Sequence, residues 1–202
     1  PRAASAVKVG LKRREQFPGF DGSEEFNYFL AVLFDCNELE IMDYNRVMKD
    51  LNGNTPEQFI EKISEKFDVE SIGNKAYKPE KAHTFGMLLN GKWYKLTAKE
   101  GTFDAADPVE ALDVSILQNN LISPVLDMHD PRTDKRIDFI GGIRGLGELE
   151  RRVNNDMCVA FSMYPTTLKE LMDIADADKI MPPKSTWFEP KLLSGLFIHK
   201  LK

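Results

Sequence analysis

The sequence predicts an α+β fold in which a mixed β-sheet with a hairpin is flanked by several helices. Asn90-Gly91 joins two β-rich runs, short and wholly apolar runs indicate buried strands, and amphipathic patterns indicate helices. No internal repeat, low-complexity tract or long flexible linker interrupts the 202 residues. We therefore expect a single α+β region over residues 1–202, with a sheet of about five or more strands.

The first part of the chain is predicted to alternate helices and strands. Residues 3–14 are good helix formers. Residues 27–34 form a nearly continuous apolar run, which predicts a strand covered on both faces, and residues 40–42 are its expected partner strand. Residues 44–51 carry apolar side chains at helical spacing, and another amphipathic helix begins at Pro56.

The middle of the chain is predicted to form the hairpin and a long helix. Residues 84–89 and 92–97 flank Asn90-Gly91, a pair that suits the positive φ angles of a type I′ turn. Asp107-Pro108 is typical of an N-cap followed by the first residue of a helix. We expect this helix to end near Ile122, because a proline follows.

The last part of the chain continues the alternation. Thr167 and Glu170 match the capping-box pattern at the start of a helix that reaches about residue 175. The other predicted elements are a turn at 130–134, a strand at 136–140, a helix at 146–154, a strand at 157–164 and a final strand at 193–201.

Composition excludes several classes of protein. The chain is 42% hydrophobic and 29% charged, as in folded globular proteins. A net charge of −5 and a pI near 5.3 give no electrostatic signal for nucleic-acid binding. No apolar run is long enough to cross a membrane and no leader opens the sequence, so we expect a cytoplasmic protein with no membrane partner. Cys36 and Cys158 form no CxxC pair and are expected to be reduced.

The most informative segment lies near the carboxyl end, where two prolines stiffen the chain ahead of Lys184. Lys184, Ser185, Thr186 and Lys191 supply ammonium and hydroxyl donors that suit an anionic ligand. Because the glycines of a P-loop are absent, the segment is not expected to wrap phosphate in that way. The commoner alternative is a structural strap whose aromatic residues, Trp187 and Phe188, fill the core.

Two carboxylates are further candidates for the site. Asp113 lies near the start of the predicted helix, and Asp138 lies in an otherwise largely apolar strand. If partly buried, either could bind magnesium or act as a general base. The ordinary alternative, which periodicity favours, is an exposed acid near a helix start and a solvent-facing strand position.

Segments 82–87, 93–96, 112–118, 137–142 and 181–196 resemble, in order and approximate spacing, a family of uncharacterised prokaryotic proteins called domain of unknown function 1015. Members carry an Asp-Gly-His-His-Arg element before a helix like residues 3–14, and here only Arg2 fits that element. The resemblance therefore implies that the chain is the carboxyl-terminal fragment of a longer protein. It also draws attention to His83, for which a hydrogen-bonded structural role is the alternative.

A more distant resemblance, through the element missing here, is to ParB-like proteins that include kinases of free serine. It implies a nucleotide-dependent phosphotransferase that acts on a small hydroxyl metabolite, with ATP or ADP and magnesium. Lys184, Asp113 and Asp138 would be catalytic, and Arg2, Ser185, Thr186, Lys191 and His83 would bind ligand. We expect Arg2 and Lys184 to border one concave surface. The alternative is a noncatalytic ligand-sensing or structural module of a larger protein.

Overall fold

The computed structural model describes residues 2–193 and 195–200, with side chains from residue 5 onward. The described chain divides into two compact units, one from Pro1–Glu40 with Pro190–Lys202 and one from Ile41–Glu189. The predicted α+β class is confirmed. None of the helices in the described part of the chain has the length and apolar character that a membrane span needs. Cys36 and Cys158 are free thiols.

The first unit contains helix α1 (Arg2–Gln16), which ends close to its predicted boundary. Two short 3₁₀ turns follow at Glu25–Asn27 and Cys36–Glu38. The strand predicted at residues 27–34 is wrong, because residues 28–35 have no regular structure and Leu33 is 94% exposed. The predicted final strand is also wrong over its described residues, 193 and 195–200, which form turns and irregular chain.

The second unit is built on a six-stranded sheet with the strand order β3-β5-β4-β7-β2-β6. Every pair of neighbouring strands in it is antiparallel. A separate two-stranded sheet pairs β1 with β8. The strands are β1 (Glu40–Met42), β2 (Tyr44–Met48), β3 (Phe67–Gly73), β4 (Thr84–Leu89), β5 (Lys92–Ala98), β6 (Ile137–Gly141), β7 (Val159–Ser162) and β8 (Trp187–Glu189).

Helices cover both faces of the larger sheet. Phe59 and Ile63 pack on one face with apolar residues of the chain between 112 and 128 and with Ile174, whereas Leu149 packs on the other face with Val47 and Trp93. The helices are α2 (Pro56–Ser64), α3 (Asp113–Leu117), a π-helical turn (Gln118–Ile122), α4 (Ser123–Leu126), a 3₁₀ turn (Gly142–Arg144), α5 (Gly145–Asn155) and α6 (Leu168–Asp176).

The hairpin is confirmed. β4 and β5 pair from Thr84 opposite Thr97 to Leu89 opposite Lys92, and Asn90 and Gly91 have φ angles of 49° and 70°. Positive φ at both turn positions is the geometry that an Asn-Gly pair tolerates best. The helix at Pro56, the strands near residues 137 and 159, the helix near residue 146 and the capping box of Thr167 are confirmed as well.

The helix predicted at residues 44–51 is wrong, because this segment forms β2, between β7 and β6. Asn45 and Val47 alternate with Arg46 and Met48, and all four side chains are buried. A strand that is covered on both faces shows no simple alternation of apolar and polar residues. The apolar residues at helical spacing therefore belong to a strand whose two faces are both in the core, and their spacing does not indicate a helix.

The helix predicted from Asp107 begins later and ends later than expected. The Asp107 carboxylate accepts a hydrogen bond from the Val109 amide at 2.8 Å, but the helix itself begins at Asp113. It then continues through Pro124 to Leu126, because the π-helical turn widens the backbone just before the proline. Asp127 ends it in the left-handed region, with φ 54°.

Candidate functional site

Residues 181–189, here called the strap, cross the second unit beside β2 and β6. The Trp187 ring lies so close to Gly141 that a methyl group there would be 2.5 Å from it. The same ring meets Tyr44 edge-on, with the centroids 5.3 Å apart. Farther along the strap, the Ser185 carbonyl accepts a hydrogen bond from the Thr166 hydroxyl at 3.1 Å. Aromatic packing and hydrogen bonds thus fix the strap to the sheet.

Arg46 is the charged group that joins the strap to the sheet. Its side chain is buried, and its Nη2 donates to the Lys184 carbonyl at 3.1 Å while Nη1 donates to the carbonyl of Tyr44. The guanidinium also lies 5.6 Å from the centroid of the Phe139 ring. Desolvation lowers the pKa of Arg46 to about 10, against the attraction of Tyr44 and Asp113. The group therefore remains a cation at neutral pH.

A pocket of about 450 Å³ opens beside Arg46 and the strap. This volume is within the range of small-molecule sites in proteins. Pro182 and Pro183 of the strap line the pocket together with Arg46 of β2 and Phe139 of β6. The rest of the lining comes from α3, the π-helical turn and the turn at residues 129–132 before β6. The lining residues are Arg46, Val114, Gln118, His129, Asp130, Pro131, Arg132, Phe139, Pro182 and Pro183.

The polar side chains that line the pocket are two guanidinium groups, one imidazole, one amide and the carboxylate of Asp130. Arg132 forms a forked pair with Asp130, in which Nε and Nη2 each lie 2.9 Å from a carboxylate oxygen. His129 Nε2 lies 2.9 Å from the carboxylate of Asp127. Together with Arg46, these groups put two guanidinium ions and one imidazole around a cavity whose other walls are largely apolar. Such a cavity suits an anionic molecule with an apolar or aromatic portion.

Asp113 is next in sequence to the pocket residue Val114 but does not itself line the pocket. Its Oδ1 accepts a hydrogen bond from the His83 backbone at 2.8 Å. Its buried Oδ2 has no hydrogen-bond partner among the described residues. Desolvation, aided by the charge of Glu170, raises the pKa of Asp113 to about 7, although the His83 amide and Arg46 act in the opposite direction. The carboxyl group can therefore gain or lose a proton near neutral pH.

The strap residues named from the sequence are held by the protein itself. The exposed Lys184 has φ 58°, and its ammonium lies 3.3 Å from the Tyr44 hydroxyl and 5.6 Å from the centroids of the Tyr44 and Phe139 rings. Ser185 is buried and its hydroxyl donates to the Pro182 carbonyl. Thr186 is half-buried. These contacts are those expected of a structural strap.

The other candidates from the sequence do not gather around the pocket. Asp138 is on an exposed position of β6 and accepts a hydrogen bond from Arg152 at 2.9 Å. Partial burial would raise its pKa, but the bonds from Arg152 and the Phe139 amide lower it. His83 packs its ring on Phe103, with the centroids 4.5 Å apart.

Two predicted ligand-binding residues belong to the first unit. Lys191 is exposed there. Arg2 begins α1, and its side chain lies outside the described residues. The predicted approach of Arg2 to Lys184 therefore stays a prediction.

Sequence reasoning missed Arg46, Gln118, His129 and Arg132. Arg46 was hidden because its segment was interpreted as a helix, where a charged residue between apolar neighbours is ordinary. The available signal was the polar pair Asn45-Arg46 directly before the apolar pair Val47-Met48, since buried polar residues need specific partners. Asn45 has such partners, because its amide donates to Asp43 at 2.6 Å and its oxygen accepts from the Met163 backbone at 2.9 Å.

The donor set for magnesium is not found in the part of the chain that the structure describes, where no group of three His, Cys, Asp or Glu residues could hold a metal ion. Asp113 and Asp138, the carboxylates expected to bind it, form separate hydrogen bonds with His83 and Arg152. The described residues thus do not fit a protein-held magnesium site.

A second pocket, of about 470 Å³, lies within the first unit and has mainly apolar walls from α1 and the segment after it. Its charged groups are already bonded: Arg14 Nε donates to Asn27 at 3.0 Å, and His199 Nε2 lies 3.0 Å from the Glu25 carbonyl. In contrast to the pocket beside Arg46, this pocket has no buried guanidinium group among its described lining residues. The pocket beside Arg46 is therefore the candidate functional site.

Comparison with known proteins identifies a family and distant structural likenesses. The family model described as Protein of unknown function (DUF1015) matches residues 2–115. No curated protein matches the chain. A free serine kinase mutant in complex with AMP is 16% identical to it, with a TM-score of 0.46, and the match covers 75% of this chain and 54% of that one.

Two further solved structures show a similar level of likeness. A free serine kinase mutant in complex with ADP is 17% identical over 75% of this chain and 54% of its own, with a TM-score of 0.45. A conserved hypothetical protein from Pyrococcus furiosus is 18% identical over 77% of this chain and 57% of its own, with a TM-score of 0.46. The chain thus spans slightly more than half of the length of these proteins.

Proposed function

This chain belongs to the family described as Protein of unknown function (DUF1015), and we propose that it forms the ligand-binding part of a nucleotide-dependent phosphotransferase that acts on a small hydroxyl metabolite. Free serine is the first substrate to test, with ATP or ADP as the phosphate donor. The solved structures with AMP and ADP guide the choice of these probes. The support for the proposal is the pocket beside Arg46.

One observation carries the proposal: a buried guanidinium, Arg46, lines the same cavity as Arg132 and His129. A buried cation such as Arg46 stabilises phosphate oxygens more strongly than a cation in open solvent does. Phe139 and the two strap prolines provide apolar walls against which a base or carbon skeleton can pack. Phosphoryl transfer relies mainly on positioning and charge stabilisation, which are what such a cavity provides.

Asp113 is the carboxylate we propose as the proton acceptor of the hydroxyl substrate. Because Asp113 is buried and does not line the pocket in this structure, this role requires a conformation in which the substrate reaches its carboxylate. Its Oδ2 has no partner among the described residues, and its pKa of about 7 suits a general base at neutral pH. Asp138 is less suited, because Arg152 holds it in the charged form. Lys184 remains a candidate for contact with the transferred phosphate, provided that it leaves the Tyr44 hydroxyl.

The experiment is a titration of the full chain with AMP, ADP and ATP by calorimetry, followed by phosphorus NMR of mixtures with free serine. Arg132→Met should weaken ADP binding about tenfold or more, because a charged hydrogen bond to phosphate is lost. Arg151→Met is the matched control, since Arg151 is also exposed and forms a similar forked pair with Glu148. Absence of nucleotide binding, or equal binding by both variants, would refute the proposal.

A noncatalytic ligand-sensing module is the second candidate, and the strap favours it. Ser185 and Lys184 form their contacts within the protein, as a structural element would. Nucleotide or serine binding with no phosphate transfer would support the sensor over the enzyme.

A further inference from the structure

We propose that Gln118 determines specificity in the pocket beside Arg46, where its carbonyl oxygen selects anionic ligands that also carry an N–H donor. The inference rests on the proposed function, since it concerns the ligand of the same pocket. Gln118 lines the cavity and stands at the first position of the π-helical turn.

The orientation of the Gln118 amide follows from its partners. Its nitrogen Nε2 lies 2.7 Å from the Met128 carbonyl and 2.8 Å from the Ser123 hydroxyl oxygen. A backbone carbonyl can only accept a hydrogen bond, so the amide group facing Met128 must be the NH2. Both amide protons are thereby used, and the side chain has no donor left for a ligand.

The remaining atom of the amide is the acceptor Oε1. None of the described residues donates a hydrogen bond to it, and it is not among the buried atoms without a partner, so part of its surface is accessible. An amide oxygen has two lone pairs and binds N–H or O–H donors. Gln118 therefore offers the pocket an acceptor in a fixed orientation.

The helix geometry explains why this orientation is fixed. The Ser123 amide donates to the Gln118 carbonyl across the π-helical turn, which places the Ser123 side chain beside that of Gln118. The left-handed Asp127 then reverses the chain, and the Met128 carbonyl arrives at the Gln118 amide. Single π-helical turns within α-helices are frequent at functional sites. Here the turn and the chain reversal lock one side chain of the pocket.

The ligand class follows from combining this acceptor with the cations. Arg46 and Arg132 favour an anionic group, and Gln118 favours an N–H group elsewhere on the same molecule. Two kinds of small molecule have this chemistry: an adenine nucleotide, through its exocyclic amine, and a phosphorylated amino acid, through its ammonium group. A ligand with a carbonyl oxygen in place of the N–H group would put two acceptors, this oxygen and Gln118 Oε1, next to each other. Neither oxygen would then have a hydrogen-bond partner.

The test uses two matched ligand pairs and the full chain. AMP is compared with inosine monophosphate, in which an oxo group replaces the amine, and phosphoserine is compared with 3-phosphooxypropanoate, in which a hydrogen atom replaces the ammonium group and no donor remains at that carbon. Calorimetry should show that one pair binds with a preference for the amine of about 3- to 15-fold, as expected for one hydrogen bond. The pair that shows the preference identifies the source of the N–H group.

Gln118→Lys separates the acceptor from the structural contacts. The ammonium group can still donate to Met128 and Ser123, but it has no acceptor, so the preference for the amine should fall to about 1-fold. Asn120→Ala is the control, because Asn120 is in the same turn but donates to Thr102 and Ile116 outside the pocket. The preference should survive in that variant.

Three other outcomes would overturn the role of Gln118. Binding of the probes by the native chain without preference for the amine overturns the role of Gln118 and leaves the proposed function standing. A preference that persists in Gln118→Lys also overturns that role. Failure of every probe to bind the native chain overturns the proposed function and, with it, this inference.

Discussion

Arg46 carries its charge inside the protein, where two backbone carbonyls and one aromatic ring replace water. Substitution by lysine keeps the charge but not the planar fork that reaches both carbonyls. We expect Arg46→Lys to lower the free energy of unfolding by about 2 kcal/mol, as for the loss of one hydrogen bond from a buried charged donor. Urea unfolding at neutral pH measures this change.

Arg132→Lys serves as the reference substitution for this experiment. Arg132 lies at the rim of the same pocket but is exposed, so the midpoint of its urea transition should match that of the native chain. Equal midpoints for the two lysine variants would contradict the structural role of the Arg46 fork.

Asp113 should make stability depend on pH in an unusual direction for a carboxylate. Its pKa is about 7 in the folded chain and about 4 in an unfolded one. Between these values the folded state holds a proton that the unfolded state has released, so stability falls as pH rises. The largest slope for one group is about 1.4 kcal/mol per pH unit. Above about pH 7 both states are ionised and this dependence ends.

Asp113→Asn removes this titration. Relative to the native chain, its free energy of unfolding should rise between about pH 4 and pH 7 and then level off. Asp138→Asn is the matched control. Because Arg152 lowers the pKa of Asp138, this substitution should change the pH dependence of stability only at more acidic pH. Urea titrations from pH 4.5 to 8.5 measure both variants. A constant difference between Asp113→Asn and the native chain would show that Asp113 is charged throughout the range.

Among the elements, the strap packs on β6 through a close contact between Trp187 and Gly141. A methyl group on Gly141 would lie 2.5 Å from Trp187, and a rigid indole ring in contact with Tyr44 has little room to move. We expect Gly141→Ala to lower the free energy of unfolding by about 1–3 kcal/mol through overpacking. Gly147→Ala in α5 meets no atom within 4 Å and should instead raise it by about 0.5–1 kcal/mol.

Chemical denaturation of the two alanine variants tests the strap. ADP binding by Gly141→Ala should weaken as well, because displacement of the strap moves Pro182 and Pro183, which line the pocket. Native-like stability of Gly141→Ala would show that the strap is loosely held.

Elements with strong local signals were predictable, and those defined by distant partners were not. Asn90-Gly91 specifies its turn through backbone geometry, and Thr167 specifies a helix start through its own side chain. β2 was misassigned because both of its faces are covered, so its apolar pattern has no strand period. The run at 27–34 was misassigned because its apolar side chains are exposed in this unit, and composition alone predicted burial.

At the scale of the whole molecule, the sheet is completed by strands far apart in sequence. β7 pairs with both β4 and β2, and β2 also pairs with β6. Amides in β2 and β7 should therefore exchange hydrogen only through global unfolding, whereas those of residues 29–35, which have no regular structure, should exchange rapidly.

Hydrogen exchange followed by mass spectrometry measures this contrast. The amides of the hairpin strand β4, which lies between β5 and β7, are an internal reference for the protected class. Exchange of β2 as rapid as that of residues 29–35 would contradict the strand order given above.

The α+β class, the hairpin, the capping box of Thr167 and the likeness to the family are readable from the sequence, because they depend on neighbouring residues or on motifs that survive in order. The burial of Arg46 and its hydrogen bond to the carbonyl of Lys184, 138 residues away, follow from the tertiary structure alone. The pocket likewise combines residues from β2, the helical layer, the turn before β6 and the strap. Whether a charged side chain faces solvent or a pocket depends on partners that no local pattern encodes, since desolvation is offset only by groups brought near through folding.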